Sequence, residues 1–169
     1  MHIRFTTAGT GLGRLLVATT DKGVCAVSLG DSDQKLVATL AAEYPDAEIT
    51  KAGRELDDLL APLLSHLRGE LPHLDLPLDV QATAFQRRVW EELRKIPYGA
   101  TRSYSELARS IGSPTSVRAV ARACATNHVA LVIPCHRVIR EDKSLGGYKW
   151  GLERKKKLLK QESEQGDRG

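Results

Sequence analysis

The residues best suited to do chemistry are Cys135 and His136, which stand together in Ile133-Pro134-Cys135-His136-Arg137-Val138, directly after the apolar run Ala130-Leu131-Val132-Ile133. A thiol attacks as its thiolate, so a nucleophilic cysteine needs a base or a positive neighbourhood. His136, Arg137 or helix N–H groups could supply it. The preceding run, with its β-branched members, reads as a buried strand that ends at the thiol. Adjacent side chains of an extended chain point to opposite faces, so His136 reaches Cys135 only across a turn or through a water. Taken alone, the pair also fits an inert buried cysteine beside a structural histidine, because free cysteine is among the most buried residue types.

The elements around this pair read as helices. Thr83 can cap a helix carrying Phe85, Val89 and Leu93 at i, i+4 and i+8, closed by Pro97 and Gly99. Ser103 and Glu106 form a capping box, after which Tyr104, Leu107, Ala108 and Ile111 share one face and Gly112 ends the helix. Ser113 to Ser116 make a short turn and cap, and Val117, Val120, Ala121 and Cys124 then repeat at helical spacing. Two short helices on a tight turn resemble a helix-turn-helix, with Arg118, Arg122 and Ala125 on the outer face beside Ala119. Such pairs also occur in proteins that never touch DNA.

Charge favours a polyanionic partner. Residues 1–84 carry 7 Lys/Arg and 12 Asp/Glu, whereas residues 85–169 carry 18 and 9, which makes the halves −5 and +9. A merely solvated basic surface is the bland alternative. With 41% hydrophobic and 27% charged residues, the 169-residue chain is long enough for a solid core and is not disordered in composition. Its apolar runs are too short to cross a bilayer and its start is not signal-like, so a cytoplasmic protein without a membrane partner is expected. Three cysteines, Cys25, Cys124 and Cys135, with no Cys-x-x-Cys spacing, give neither a disulfide framework nor a four-cysteine zinc site.

The first half reads as scaffold. Leu15 to Thr19 and Val24 to Leu29, joined by Asp21-Lys22-Gly23, form a hairpin. A helix follows from Asp33 as N-cap with Leu36, Val37 and Leu40 on one face. Another runs from Arg54 to Leu67, kinked or split by Pro62. Leu74, Leu76, Leu78 and Val80 alternate as a half-buried edge strand would, with Pro77 in it.

The run Ile133 to Val138 resembles the active-site signature of the O6-alkylguanine-DNA alkyltransferases, or methylated-DNA-protein-cysteine methyltransferases. Phe85-Gln86, Val89-Trp90, Ile96-Pro97-Tyr98-Gly99, Gly147-Tyr148 and Leu158-Leu159-Lys160-Gln161-Glu162 extend the likeness, which is strong from about Thr83 to Glu162. Within that family the chain is most similar to the C-terminal catalytic part of the bacterial adaptive-response regulators.

The resemblance implies an α/β (α+β) fold: a ribonuclease H-like scaffold over residues 1–80, and a mostly helical DNA-binding and alkyl-acceptor domain over 81–169. It implies that Cys135 accepts an alkyl group from O6 of guanine, or O4 of thymine, in double-stranded DNA. His136 would be the base acting through a water and Glu162 its orienting carboxylate. Tyr104, helped by Lys155, would serve the departing guanine. Arg118 would enter the duplex in place of the flipped base, with Thr115, Ser116, Ala119, Arg122 and Ala125 against the minor groove. Asn127, Val138, Tyr148 and Trp150 would form the base pocket, and Trp150 would limit bulky adducts.

No cofactor, no metal and a monomer are implied. The cysteine must be ionised to react, the extruded base must leave the stack, and the thioether product has no good leaving group, so each molecule acts once. Two other classes fit parts of the pattern: a lesion binder that flips the base without repairing it, which would lack the acceptor cysteine, and a transcription regulator, which would not need Cys135. A thiol hydrolase leaves the basic half unexplained.

Overall fold

A computed structural model describes residues 1–166, which divide into two compact units: Met1–Val80 with His128–Val132, and Gln81–Asn127 with the chain from Ile133 onward. Among the described residues no helix is long and apolar enough to cross a membrane.

The first unit is built on a four-stranded sheet of β1 (His2–Thr10), β2 (Gly13–Thr19), β3 (Val24–Gly30) and β4 (Glu48–Lys51), in the order β3-β2-β1-β4. β1 pairs antiparallel with β2 and parallel with β4, and β2 pairs antiparallel with β3. The expected hairpin is therefore present. β1 and β4 add two strands that the apolar runs do not announce, because only Ile3 and Phe5 of β1 are buried. Helix α1 (Asp33–Glu43) lays Leu36 and Leu40 against Ile3, Phe5, Leu16, Ala18, Cys25 and Ala26. Its N-cap is Ser32, whose hydroxyl accepts from the Lys35 N–H at 3.2 Å. Asp33, expected in that role, instead holds Arg14 at 2.7 Å and accepts from the Thr7 hydroxyl at 2.9 Å.

Helix α2 (Asp57–Leu67) follows a 3-10 turn over Arg54–Leu56 and runs through Pro62. The break lies before Asp57, five residues ahead of the proline expected to cause it. The segment from Leu74 to Val80 is not a strand. Only Leu78 bridges Val24, with Pro77 O accepting from Val24 N at 2.7 Å and Asp79 N donating to Val24 O at 2.8 Å. Pro77 has no N–H to extend a ladder, so the alternation records burial of Leu74 and Leu76 without strand pairing.

This contact also fixes a glycine. Gly23 has φ +156°, and a Cβ there would lie 2.7 Å from Pro77 O. Gly23→Ala is expected to lower stability by about 1–3 kcal/mol, read as a lower denaturant midpoint at unchanged slope. An unchanged midpoint would mean that the Pro77 segment yields freely.

The second unit contains α3 (Ala84–Arg94), β5 (Arg102–Ser103), α4 (Tyr104–Ser110), α5 (Val117–Ala125), β6 (Val138–Ile139) and α6 (Leu152–Gly166). Thr83 and Gln86 close a reciprocal capping box on α3, and Ser103 and Glu106 do the same on α4. Gly112, at φ +76°, ends the α4 segment, and Ser113 N returns to Ala108 O at 2.9 Å. Ser116 stands at the N-cap position of α5, but its side chain makes no capping bond. Val120, Ala123 and Cys124 are the buried residues of α5. Trp90 Nε1 of α3 donates to Ala123 O at 2.8 Å, tying the two helices together. Arg118 and Arg122 are exposed, as expected of an outer face.

Candidate active site

Two local devices bring the chemistry-bearing residues together. The first is a short parallel pairing of β5 with β6, Arg102 against Val138 and Ser103 against Ile139. It sets Tyr104, the first residue of α4, beside the segment that has just left Cys135. The second is a 3-10 turn over Cys135–Arg137. It replaces the expected strand end: Cys135 N donates to Ile133 O at 2.8 Å, and Leu131 has φ +72° with Val132 N closing on Ala130 O at 2.8 Å. The apolar run is buried as read, but four apolar residues cannot distinguish a strand from a buried turn. Leu131 is a non-glycine residue in left-handed backbone, a strained conformation.

The Cys135 thiol is buried and lines a cavity of about 360 Å³ with Tyr104, Ala121, Cys124, Ala125, Gly147, Tyr148 and Lys149. Asn127, fully buried, is not the helix cap, a position held by Thr126. Its Nδ2 donates to Ile133 O at 2.9 Å and to Cys135 Sγ at 3.3 Å, tying the end of α5 to the thiol-bearing turn. Burial pushes the Cys135 thiol up to about 11, against the Asn127 hydrogen bond and the charges of Lys155 and Lys149, which lower it. The resting sulfur is therefore a thiol. The ionisation that the reaction requires is not present at rest, because removal from water outweighs the surrounding positive groups.

His136 sits in a fully buried network. Its Nε2 is 2.7 Å from Glu162 Oε2, and Glu162 is gripped by Arg137 through Nε at 2.7 Å and Nη2 at 3.1 Å, while Arg137 Nη1 donates to Ile96 O at 2.8 Å. Burial raises the Glu162 carboxyl, but the hydrogen bonds from His136 and Arg137 and the Arg137 charge more than offset it and hold it near 2. Burial dominates at His136 and keeps it below its ordinary value. The imidazole is thus neutral. With Nε2–H donated to an ionised Glu162, the basic lone pair is on Nδ1, which has no hydrogen-bond partner among the described residues. Arg137 serves Glu162 and Ile96, so the positive neighbourhood of the thiol comes instead from Lys155 and Lys149.

Lys155, completely buried, spends its three N–H donors on the carbonyls of Val138 at 2.6 Å, Gly147 at 3.1 Å and Leu145. Burial lowers its ammonium to about 8. Its Nζ lies 6.0 Å from the Tyr104 ring centroid, so its direct partners are the loop carbonyls around Gly147 and Tyr148 rather than the phenol. Tyr104 is raised to about 12 by burial. Gly146, at φ +70°, backs onto it: a Cβ there would stand 3.0 Å from the Tyr104 hydroxyl oxygen.

Of the four residues expected in the base pocket, only Tyr148 lines the cavity. Val138 is buried in the β5–β6 pair, and Trp150 packs edge-on behind Tyr148 at 5.2 Å between centroids, which leaves Tyr148 as the wall. Tyr148 also meets the His136 ring edge-on at 6.4 Å, and its hydroxyl is buried without a partner among the described residues. Cys124, Ala121 and Lys149 line the cavity without having been singled out for it. Cys124 was read only as one of an apolar stripe. Thr115 is exposed, Ser116 and Ala119 are half-buried, and Ala125 is exposed at the cavity edge of α5. No group of three or more His, Cys, Asp or Glu that could hold a metal occurs among the described residues.

Comparison with known proteins gives a consistent set. A family described as "6-O-methylguanine DNA methyltransferase, DNA binding domain" matches residues 84–164. The chain is 45% identical over 168 residues to the bifunctional transcriptional activator/DNA repair enzyme Ada of Escherichia coli, covering 99% of this chain and 48% of that protein. It therefore spans about half the length of this relative and of the Salmonella typhimurium regulatory protein ada, of which it covers 46%. It is 38% identical over 157 residues to a methylated-DNA–protein-cysteine methyltransferase of Mycolicibacterium paratuberculosis, covering 93% of this chain and 90% of that one. The structure of Mycobacterium tuberculosis OGT in complex with DNA superposes with a TM-score of 0.82 at 33% identity, covering 98% of this chain and 94% of the other.

Proposed function

Because the chain belongs to the methylated-DNA–protein-cysteine methyltransferase family, we propose that it repairs DNA directly, moving an alkyl group from O6 of guanine, and also from O4 of thymine, onto Cys135 once per molecule. The observation that carries this reading is a nucleophilic thiol lining a cavity beside Tyr104, with a neutral His136 held by an ionised Glu162. The M. tuberculosis relative bound to DNA supports DNA as the partner, and we read that DNA as double-stranded. We read α4 and α5 as a helix-turn-helix laid in the minor groove. Exposed Arg118 fills the gap of the flipped base, and Arg122, Thr115, Ser116, Ala119 and Ala125 lie along the backbone. The sheet order β3-β2-β1-β4, with β4 parallel to β1, supports a ribonuclease H-like first unit. The protein acts as a monomer in the bacterial cytoplasm, at the nucleoid.

The proton must leave sulfur during the reaction. Moving it from a thiol raised to about 11 to an imidazole held below its ordinary value is uphill, and that cost forms part of the activation barrier. Nδ1 takes the proton through a water, and the Glu162 charge stabilises the imidazolium as it forms. The thiolate attacks the alkyl carbon, the O6–carbon bond breaks, and Tyr104 donates to the guanine anion. Asn127 and Lys155 hold the walls in register.

A pH dependence follows. Because the proton passes from sulfur to a neutral His136 within the site, the reactive pair holds as many protons as the resting one. The single-turnover rate constant is therefore expected to be level between about pH 7 and pH 9 and to fall in acid as His136, held below its ordinary value, takes up a proton. A rate constant that climbs about tenfold per pH unit between about pH 7 and pH 9 would show that the proton is lost to solvent before the reaction and that His136 is not its acceptor. The overall reading is tested with excess duplex carrying isotope-labelled O6-methylguanine: one label per protein molecule and then arrest is the expected course. Continued turnover, or label that stays in the DNA, would refute it.

A further inference from the structure

Cys135 does not line its cavity alone, for Cys124, near the end of α5, is a second thiol on the same 360 Å³ space. Both are free cysteines, close enough that ionising Cys135 would raise the Cys124 thiol. Neither the proton path through His136 nor the hydrogen bond to Asn127 uses Cys124. A methyl thioether on Cys135 would leave it untouched.

We propose that Cys124 is a second acceptor, which closes a two-carbon thioether bridge to Cys135 when the adduct on guanine O6 is a 2-haloethyl group. This rests on the alkyl-transfer reading and extends it to a substrate class that carries a second electrophilic carbon. In the first step the Cys135 sulfur–carbon bond forms, the O6–carbon bond breaks, and guanine regains its proton. The product, Cys135–S–CH2CH2–X, is a half-mustard whose sulfur can expel halide to form a three-membered sulfonium. In the second step Cys124 Sγ bonds to one of those carbons, halide departs with the electron pair of the carbon–halogen bond, and the Cys124 proton passes to water. No oxidant or reductant takes part.

Two features favour the second step over hydrolysis or attack on DNA. The thiols line one cavity, so the second reaction is intramolecular, a gain that for well-oriented groups reaches effective molarities of about 10⁵ M or more. The second feature is the buried Lys155 ammonium, whose charge lowers the Cys124 thiol against the burial that raises it and which remains in place after Cys135 has reacted.

The test uses the whole protein and two duplexes, one with O6-methylguanine and one freshly chloroethylated at guanine O6. The methyl duplex counts the molecules competent in transfer. With the chloroethyl duplex, those molecules are expected to gain C2H2, two carbons bridging two sulfurs at the loss of both thiol hydrogens, and to yield a linked peptide pair containing Cys124 and Cys135. Protein first methylated on Cys135 should yield no linked pair, and Cys124→Ser, normalised to its own competent fraction, should carry chloroethyl or hydroxyethyl on Cys135 or remain joined to DNA. Wild-type protein that ends with hydroxyethyl-Cys135 and a free Cys124 thiol would overturn the bridge while sparing the alkyl-transfer reading. Absence of methyl transfer from the first duplex would overturn both.

Discussion

Cys135→Ser is expected to abolish alkyl transfer, by roughly 10⁴-fold or more, while leaving affinity for duplex DNA within a few-fold of the parent. A hydroxyl fits the space, and Asn127 Nδ2 can donate to it as it does to Sγ. The loss is therefore chemical: an alcohol ionises far less readily than a thiol already raised to about 11 by burial, and His136 is too weak a base to help it. Binding is expected to survive because the proposed DNA contacts, Arg118 and Arg122, lie exposed on α5 and need no sulfur. Single-turnover transfer and gel-shift assays on the same preparation separate the two. A variant that still moves methyl groups from DNA would relocate the acceptor.

Glu162 should give the next largest effect, and two substitutions divide it. Glu162→Ala leaves the buried Arg137 guanidinium without its bidentate partner, a change that costs about 3–5 kcal/mol for a buried pair. Against total stabilities of about 5–15 kcal/mol, this variant is expected to be partly unfolded near body temperature. Glu162→Gln keeps the shape and loses the charge, so it should fold better yet transfer about 10²- to 10⁴-fold more slowly, since nothing stabilises the imidazolium. Equal transfer rates for Glu162→Gln and wild type would remove Glu162 from the proton path and leave it a purely structural anchor.

The same network predicts how acid unfolds the protein. Glu162 is held near 2 in the folded state, below its ordinary 4.5, so the stability it contributes is complete above pH 4.5 and lost as pH falls toward 2. That contribution is roughly 3 kcal/mol. His136, also depressed by burial, adds a loss that begins as pH drops below 6.5, where the unfolded histidine takes a proton that the folded one resists.

Local chemistry made much of the second unit legible. The Thr83 cap and the capping box of Ser103 with Glu106 appear as read because a cap needs only residues a few positions apart, and Gln86 adds a return bond to Thr83 that the reading did not include. The residues named around the thiol, namely Cys135, His136, Glu162, Tyr104, Asn127 and Tyr148, meet in one unit; Cys135 and His136 stand out by their place after the apolar run, whereas the roles of the other four come from the resemblance and not from spacing. Contacts distant in sequence escaped. β4 is identified by its pairing with β1, 46 positions away from His2 at Glu48, and its own four residues are mostly exposed. Cys124 faces the cavity because of where the turn before Cys135 passes, which no helical periodicity contains. The Leu74–Val80 alternation misled because Pro77 leaves burial intact while removing a ladder donor. Arg137 was expected beside the sulfur, but a planar guanidinium matches a carboxylate in two bonds, and Glu162 offers that match.

The most direct measurement is peptide mass spectrometry of the protein after brief exposure to a duplex containing one O6-methylguanine. A single methyl on the peptide bearing Cys135, with Cys25 and Cys124 unmodified and the guanine restored in the DNA, is the expected result. Protein of unchanged mass bound tightly to an unrepaired duplex would contradict it.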